Sequence, residues 1–229
     1  MSRDRFSMGT VSIATIVSAC APTGPPAFAE CATRFSITNQ KELALPENPR
    51  TSKVNGIDLD ALRETRAAIE QNADHGRVQF AVKTEWKGQT RSESVVENYT
   101  IGGNRVERHF TIAADEPLEL LGTNAAPNPQ ELLMSAVNAC MMVGYIAQAA
   151  IRGIKLEACR IETQGELDLR GFLGVDDSIP AGYRRIDYRV FIEGDGTREQ
   201  YEEIHAAVRA TSPNFFNMAQ PIEMCGTLA

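Results

Sequence analysis

Pro127-Asn-Pro-Gln-Glu-Leu-Leu-Met-Ser-Ala-Val-Asn-Ala-Cys140-Met-Met-Val-Gly-Tyr-Ile-Ala-Gln-Ala-Ala-Ile151 is the stretch whose reading decides the fold. It predicts a helix with a sharp start and a clear stop. Asn128 is placed to cap it, and Pro129 fits the first turn, where a missing N–H costs nothing. Gly153 follows the last turn, where a left-handed C-cap is expected. From Leu132 to Ile151 there is no charged side chain. A helix apolar on every side is expected to be buried all round. Such a run is also long enough to span a bilayer. Ser135, Asn138 and Gln148 interrupt it, however, and polar, patterned strands follow, so a buried core helix is the expectation. In its middle sits one thiol, Cys140.

Downstream, Ile154 to Leu169 alternates as a long strand, and Gly171 to Gly182 reads as a loop. Arg185 to Glu193 alternates again. Asp195-Gly-Thr197 caps an amphipathic helix ending near Thr211. Ser212-Pro213 follows, and Pro221 to Leu228 reads as a final short strand. Upstream, Asn55-Gly-Ile-Asp58 opens a helix that His75-Gly76 ends. Val78 to Trp86 alternates as a half-buried strand, Lys87-Gly-Gln-Thr makes a turn, and Arg91 to Tyr99 is a second strand. Ile101-Gly-Gly-Asn104 is a hairpin signal leading to a third strand, Val106 to Ile112. In the loop from Ala113 to Ala126, Asp115-Glu116 reads as a pair of solvated acids. Strands that follow one another in hairpins favour an α+β fold over a parallel α/β sheet.

Residues 1–50 differ in character. A basic start, a short apolar run around Met8 to Ala21 and Ala27-Phe-Ala29 outline a secretory signal. An over-long start or a disordered leader is the alternative, and Ile37 to Ser52 reads as a linker. The domain proper is expected over residues 51–229. We expect a cytoplasmic protein, with export through the N-terminal segment as the alternative.

The 229 residues carry a formal charge of −7. That argues against nucleic acid or an anionic membrane surface as the main partner. Five cysteines show no CxxC or CxxH pair, and the three histidines are scattered, so no metal site is expected. With no phosphate-binding glycine loop, HExxH or Ser-His-Asp order, neither a cofactor nor a hydrolase or nucleotide chemistry is indicated. Met134, Met141 and Met142 read as core or as a flexible apolar pocket lining.

Three segments carry a resemblance. They are Gly122-Thr-Asn…Pro127-Asn-Pro-Gln-Glu-Leu-Leu…Ala139-Cys140, then Gly153-Ile-Lys-Leu-Glu157, then Gly165-Glu-Leu-Asp-Leu-Arg-Gly171. With Pro180-Ala-Gly-Tyr183 and Ser212-Pro213-Asn, the chain from about Asn55 to Leu228 resembles the OsmC/Ohr family of hydroperoxide-reducing proteins. The resemblance implies antiparallel sheets packed around long buried central helices, in an intertwined homodimer with sites at the subunit interface. It also implies reduction of organic peroxides by a cysteine thiolate near an arginine and a glutamate, with a second cysteine closing a disulfide.

Carried over by residue, the first cysteine is Cys140. The second, in a Cys-Pro pair, falls on Ser212, so the chain resembles a branch without the resolving thiol. The glutamate falls on Gln130, with Glu131 one position away. Arg91 is the nearest arginine, its register against Gln89 left open.

A thiolate attacks the O–O bond and leaves a sulfenic acid that another thiol must reduce. With a serine at 212, that thiol is external, or else Cys159 or Cys225. The expected catalytic set is Cys140, Arg91 and Glu131, with Gln130, Ser212 and Met141 around the ligand. The expected partners are a second copy, a small hydrophobic peroxide and a thiol or dithiol reductant. The alternatives are a catalytically degenerate small-ligand-binding protein and a thiol redox sensor.

Overall fold

In a computed structural model, the structure describes residues 53–228; the expected leader and linker lie outside the described residues. Residues 53–220 belong to one compact unit, and 221–228 lie outside it.

The apolar stretch is one helix, here α2, over Pro129–Ile151. Asn128 and Glu131 form a reciprocal capping box, each side chain accepting from the other's backbone N–H at 2.8 Å. Gly153, at φ 73°, ends it, and the N–H groups of Gly153 and Ile154 return to Ala150 and Ala149. A strand and two helices that follow it pack on α2, and the N-terminal hairpin reaches it as well. Strands β7 (Leu156–Gly165) and β8 (Ile186–Gly194) form an antiparallel pair. Helices α4 (Arg198–Thr211) and α5 (Pro213–Ala219) follow, with the four-residue α3 (Leu169–Phe172) between the strands. Met141, Tyr145 and Ala149 close the core with Ile154, Ile204 and Val208. Gly144 lets α4 approach: a Cβ there would stand 3.2 Å from both Val208 methyls.

The N-terminal half is built differently. A small hairpin, β1 (Lys53–Val54) and β2 (Ile57–Asp58), turns at Asn55-Gly56, where the sequence predicts a helix start. Asp58 then caps α1 (Leu59–Gln71) by accepting from Asp60 and Ala61. The Asn55 amide donates to Ile154 O and accepts from Leu156 N–H, both at 2.9 Å, clasping the hairpin to the end of α2.

A four-stranded antiparallel sheet follows: β3 (Val78–Phe80), β4 (Lys83–Trp86), β5 (Ser92–Ile101) and β6 (Asn104–Ala114). Gly102 and Gly103, both at positive φ, make the two-residue turn between β5 and β6. The single strand expected from 78 to 86 is two. Between Phe80↔Tyr99 and Lys83↔Val95, β5 advances one residue more than its neighbour, next to a bulge at Val96/Asn98. An extra residue breaks a ladder locally and bends the strand.

Three expectations are corrected. Val78 to Trp86 is exposed throughout rather than half-buried. α2 is not buried all round within one chain: Met141, Tyr145, Ala149 and Ala150 are buried, while Val143 is 66% exposed. By length and composition α2 would suffice to cross a membrane, and the chain's own elements bury only part of it. Residues 221–228 form no strand and are exposed, since among the described residues no strand pairs with them.

Candidate functional site

Cys140 lies midway along α2, half-buried, one residue before the core methionine Met141. Ser212 stands against it. The serine ends α4, its N–H donating to Val208 O at 2.8 Å, and it caps α5. Its side chain is buried, 5% exposed, and its Oγ donates to Cys140 Sγ at 3.3 Å. Phe215 N–H donates to the same Oγ at 3.4 Å. Asn214 Nδ2 donates to Ala136 O at 2.9 Å, holding the α4–α5 junction on α2 one turn before the thiol. The short α5 itself had no sequence signal beyond Ser212-Pro213, a cap followed by a first-turn proline.

A groove of about 600 Å³ runs beside the N-terminal half of α2. Leu133, Met134, Val137, Tyr188, Phe215 and Met218 give it an apolar lining, and Gln130, Thr163 and Arg184 give polar edges. Gln130 therefore faces the groove. Glu131 does not line it, and its carboxylate is engaged in the capping box. Met141, expected around a ligand, is closed from solvent in the core.

Arg91 stands apart from the thiol. It lies at the β4–β5 turn, exposed, with Nη2 donating to Lys87 O at 3.2 Å. Within one chain no hydrogen bond joins Arg91 to Cys140. Its turn is nonetheless fixed. Gln89 Nε2 donates to Leu121 O at 2.7 Å and Thr90 Oγ1 to Asp115 at 2.6 Å, pinning it to the loop that delivers the chain to α2.

Asp115 is the centre of that loop, and its burial at 1% exposure corrects the expectation of a solvated acid. Its carboxylate accepts from Thr90 and Thr123 hydroxyls and from the N–H groups of Glu116, Thr123 and Ala125. The two threonine hydroxyls, and then the backbone donors, hold its pKa far below the ordinary carboxylate range. The density of small donors around it, Thr90 and Gly122-Thr-Asn, is the sequence signal that could have found it. Gly122 is required there, because a Cβ would overlap Glu116 O.

His205, one of the three scattered histidines, is paired. The buried Tyr145 hydroxyl meets its Nδ1, and the two rings stack. Burial, and then Arg209, lower the His205 pKa, while burial raises that of Tyr145. A neutral imidazole accepting from a protonated phenol is the consistent state. Cys159, on β7, is half-buried and its pKa is raised by burial, which keeps it in the thiol form. Cys225 is exposed, its Sγ 3.6 Å from Glu223 Oε1.

The fold and this site define an α+β protein of antiparallel sheets with a half-exposed thiol on its long apolar helix. Residues 122–224 match the OsmC-like protein family. No curated protein matches the chain. Solved structures similar to it include an OsmC-like protein from Mycoplasma pneumoniae, at 14% identity, with 62% of this chain and 87% of that one covered and a TM-score of 0.46. An OsmC-like hydroperoxide resistance protein from Jannaschia sp. CCS1 matches at 15% identity, with 64% and 89% covered and a TM-score of 0.34. An organic hydroperoxide resistance protein OsmC from Legionella pneumophila matches at 18% identity, with 60% and 86% covered and a TM-score of 0.37.

Proposed function

We propose that this protein is a thiol peroxidase that reduces organic hydroperoxides through Cys140, with an external thiol restoring the cysteine. The observation that carries the reading is a half-exposed thiol on α2 with a buried hydroxyl donating to it, in a family span that includes both residues. The apolar groove along the same helix suits a hydrophobic peroxide better than hydrogen peroxide.

The thiolate attacks one peroxide oxygen. An S–O bond forms, the O–O bond breaks, and the alcohol leaves with a proton. A thiol then displaces hydroxide from the sulfenic acid as water, giving a mixed disulfide, and a second thiol releases Cys140 and carries away the disulfide. Cys159 is a poor internal partner because it is held in the thiol form within the sheet. A cytoplasmic location, where thiol reductants keep cysteines reduced, fits this need.

A second copy of the chain completes the proposal. The exposed side of α2 and the β3–β6 sheet leave Val143, Trp86 and Phe110 uncovered. Burying these against a twin would satisfy both surfaces and would offer Arg91 of one chain to Cys140 of the other. A guanidinium there would favour the thiolate and hold the peroxide oxygens. The groove also supports a second reading, a small-ligand-binding protein without turnover.

Peroxide turnover is measured on the wild type and on Cys140→Ser, with lipoyl dithiol and monothiol reductants compared. The expected result is turnover by the wild type alone and a mixed disulfide at Cys140 in the mass spectrum. Absence of any sulfenic or mixed-disulfide adduct at Cys140 after cumene hydroperoxide overturns the peroxidase. A small molecule retained through native mass spectrometry, without turnover, establishes the binding protein instead.

A further inference from the structure

We propose that Ser212 is the positioning residue that keeps Cys140 reactive, its hydroxyl proton held on the sulfur by the α4–α5 junction. The proposal rests on the reading of Cys140 as the reacting cysteine and adds to it a function for the residue that stands where a second thiol would be.

A hydroxyl has one proton to donate and two lone pairs to accept with. The backbone of Ser212 is fixed from both sides: its N–H donates to Val208 O, and its own carbonyl accepts from Phe216 N–H. The Asn214 amide ties the next turn to Ala136 O on α2. With the backbone fixed, Phe215 N–H occupies the acceptor side of Oγ. The single hydroxyl proton is then directed at the other neighbour within reach, Cys140 Sγ at 3.3 Å. Ser212 is buried, so solvent competes little for that proton.

A hydrogen bond to a charged acceptor is stronger than one to its neutral form. The Ser212 proton is therefore held most firmly on the sulfur when the sulfur acts as the nucleophile, and it fixes the Sγ position relative to the groove whose lining includes Phe215. The same contact explains why a serine is not an inert replacement here. It supplies polarity to the sulfur and forms no disulfide with it, so the sulfenic acid stays open to a thiol from outside.

The test is the rate of Cys140 alkylation by iodoacetamide, followed by mass spectrometry on the full chain, with the variants Ser212→Ala, Ser212→Gly and Ser212→Thr. Glycine is tolerated at a helix N-cap at little cost, so Ser212→Gly removes the hydroxyl while sparing the α5 cap. We expect the alanine and glycine variants to react about tenfold more slowly at pH 7. Ser212→Thr should recover most of the rate.

Alanine and glycine variants that fold and react at the wild-type rate overturn the proposal and leave Ser212 a helix cap. Equal slowing by threonine also overturns it, by assigning the effect to packing. A Ser212-dependent alkylation rate without peroxide turnover would uphold this inference while the peroxidase reading fails. Turnover that is indifferent to Ser212 would do the reverse.

Discussion

The two halves of the chain solve burial in opposite ways. From α2 onward, two strands and two helices close on one helix, and six side chains are nearly or fully removed from solvent. From β3 to β6, ten- and eleven-residue strands pair well, yet Phe80, Trp86 and Phe110 remain 67%, 76% and 58% exposed. Arg108 spreads over Phe80, Tyr99 and Phe110, a cation laid across exposed rings. Hydrogen bonding alone therefore does not make a core. The first half has a ladder without a packed face, and the second has a packed face on a helix with one side left bare. The proposed second copy would cover both surfaces.

The contrast can be broken first at its strongest point. Ile204→Ala, in the closed core, should cost about 2–5 kcal/mol, read from the denaturant midpoint. That loss should be independent of protein concentration. Phe110→Ala sharpens the other side. On an uncovered sheet it should be within about 0.5 kcal/mol of neutral. Covered by a second copy, it should cost about 1–3 kcal/mol, a cost that fades at protein concentrations low enough to separate the copies. We expect the latter, together with a scattering mass twice the 25.1 kDa of one chain that falls in the variant.

The smallest effect is expected where the halves are joined. Asp115→Asn should lower the melting temperature by about 3 °C at pH 7. The folded carboxylate has a depressed pKa, so its contribution is fully present above the ordinary carboxylate value. It fades as the pH falls below about 4, where the unfolded chain takes up a proton that the folded chain refuses. The gap between wild type and variant should therefore begin to narrow on acidification, as a melting series from pH 7 to pH 3 will show.

Local chemistry made much of the second half legible. The Asn128 cap with its first-turn proline, the Thr197–Gln200 capping box of α4 and the stop at Gly153 are short-range signals, and each formed as its residues dictate. The Gly102-Gly103 turn is equally local. What local chemistry does not carry is the partner. The division of β3 from β4 depends on a bulge in another strand, and the burial of Asp115 depends on Thr90, twenty-five residues away. The exposed side of α2 reads as core because composition reports that a surface is apolar, not which molecule covers it. At the site, the pairing of Ser212 with Cys140 spans 72 residues, and only the family resemblance brought the two together in advance. Gln130 at the groove and Glu131 in the cap are adjacent in sequence but point to different work, a separation set by helix phase.

Asn55 carries one more consequence. Its amide closes on Ile154 and Leu156, about a hundred residues along the chain. On a ribosome, the first hairpin is therefore made long before its acceptor and donor exist. It waits until α2 has been completed and the chain has turned into β7. The beginning of the domain is in this sense one of the last parts to settle, and a loop closure of that length slows assembly more than it weakens the finished protein.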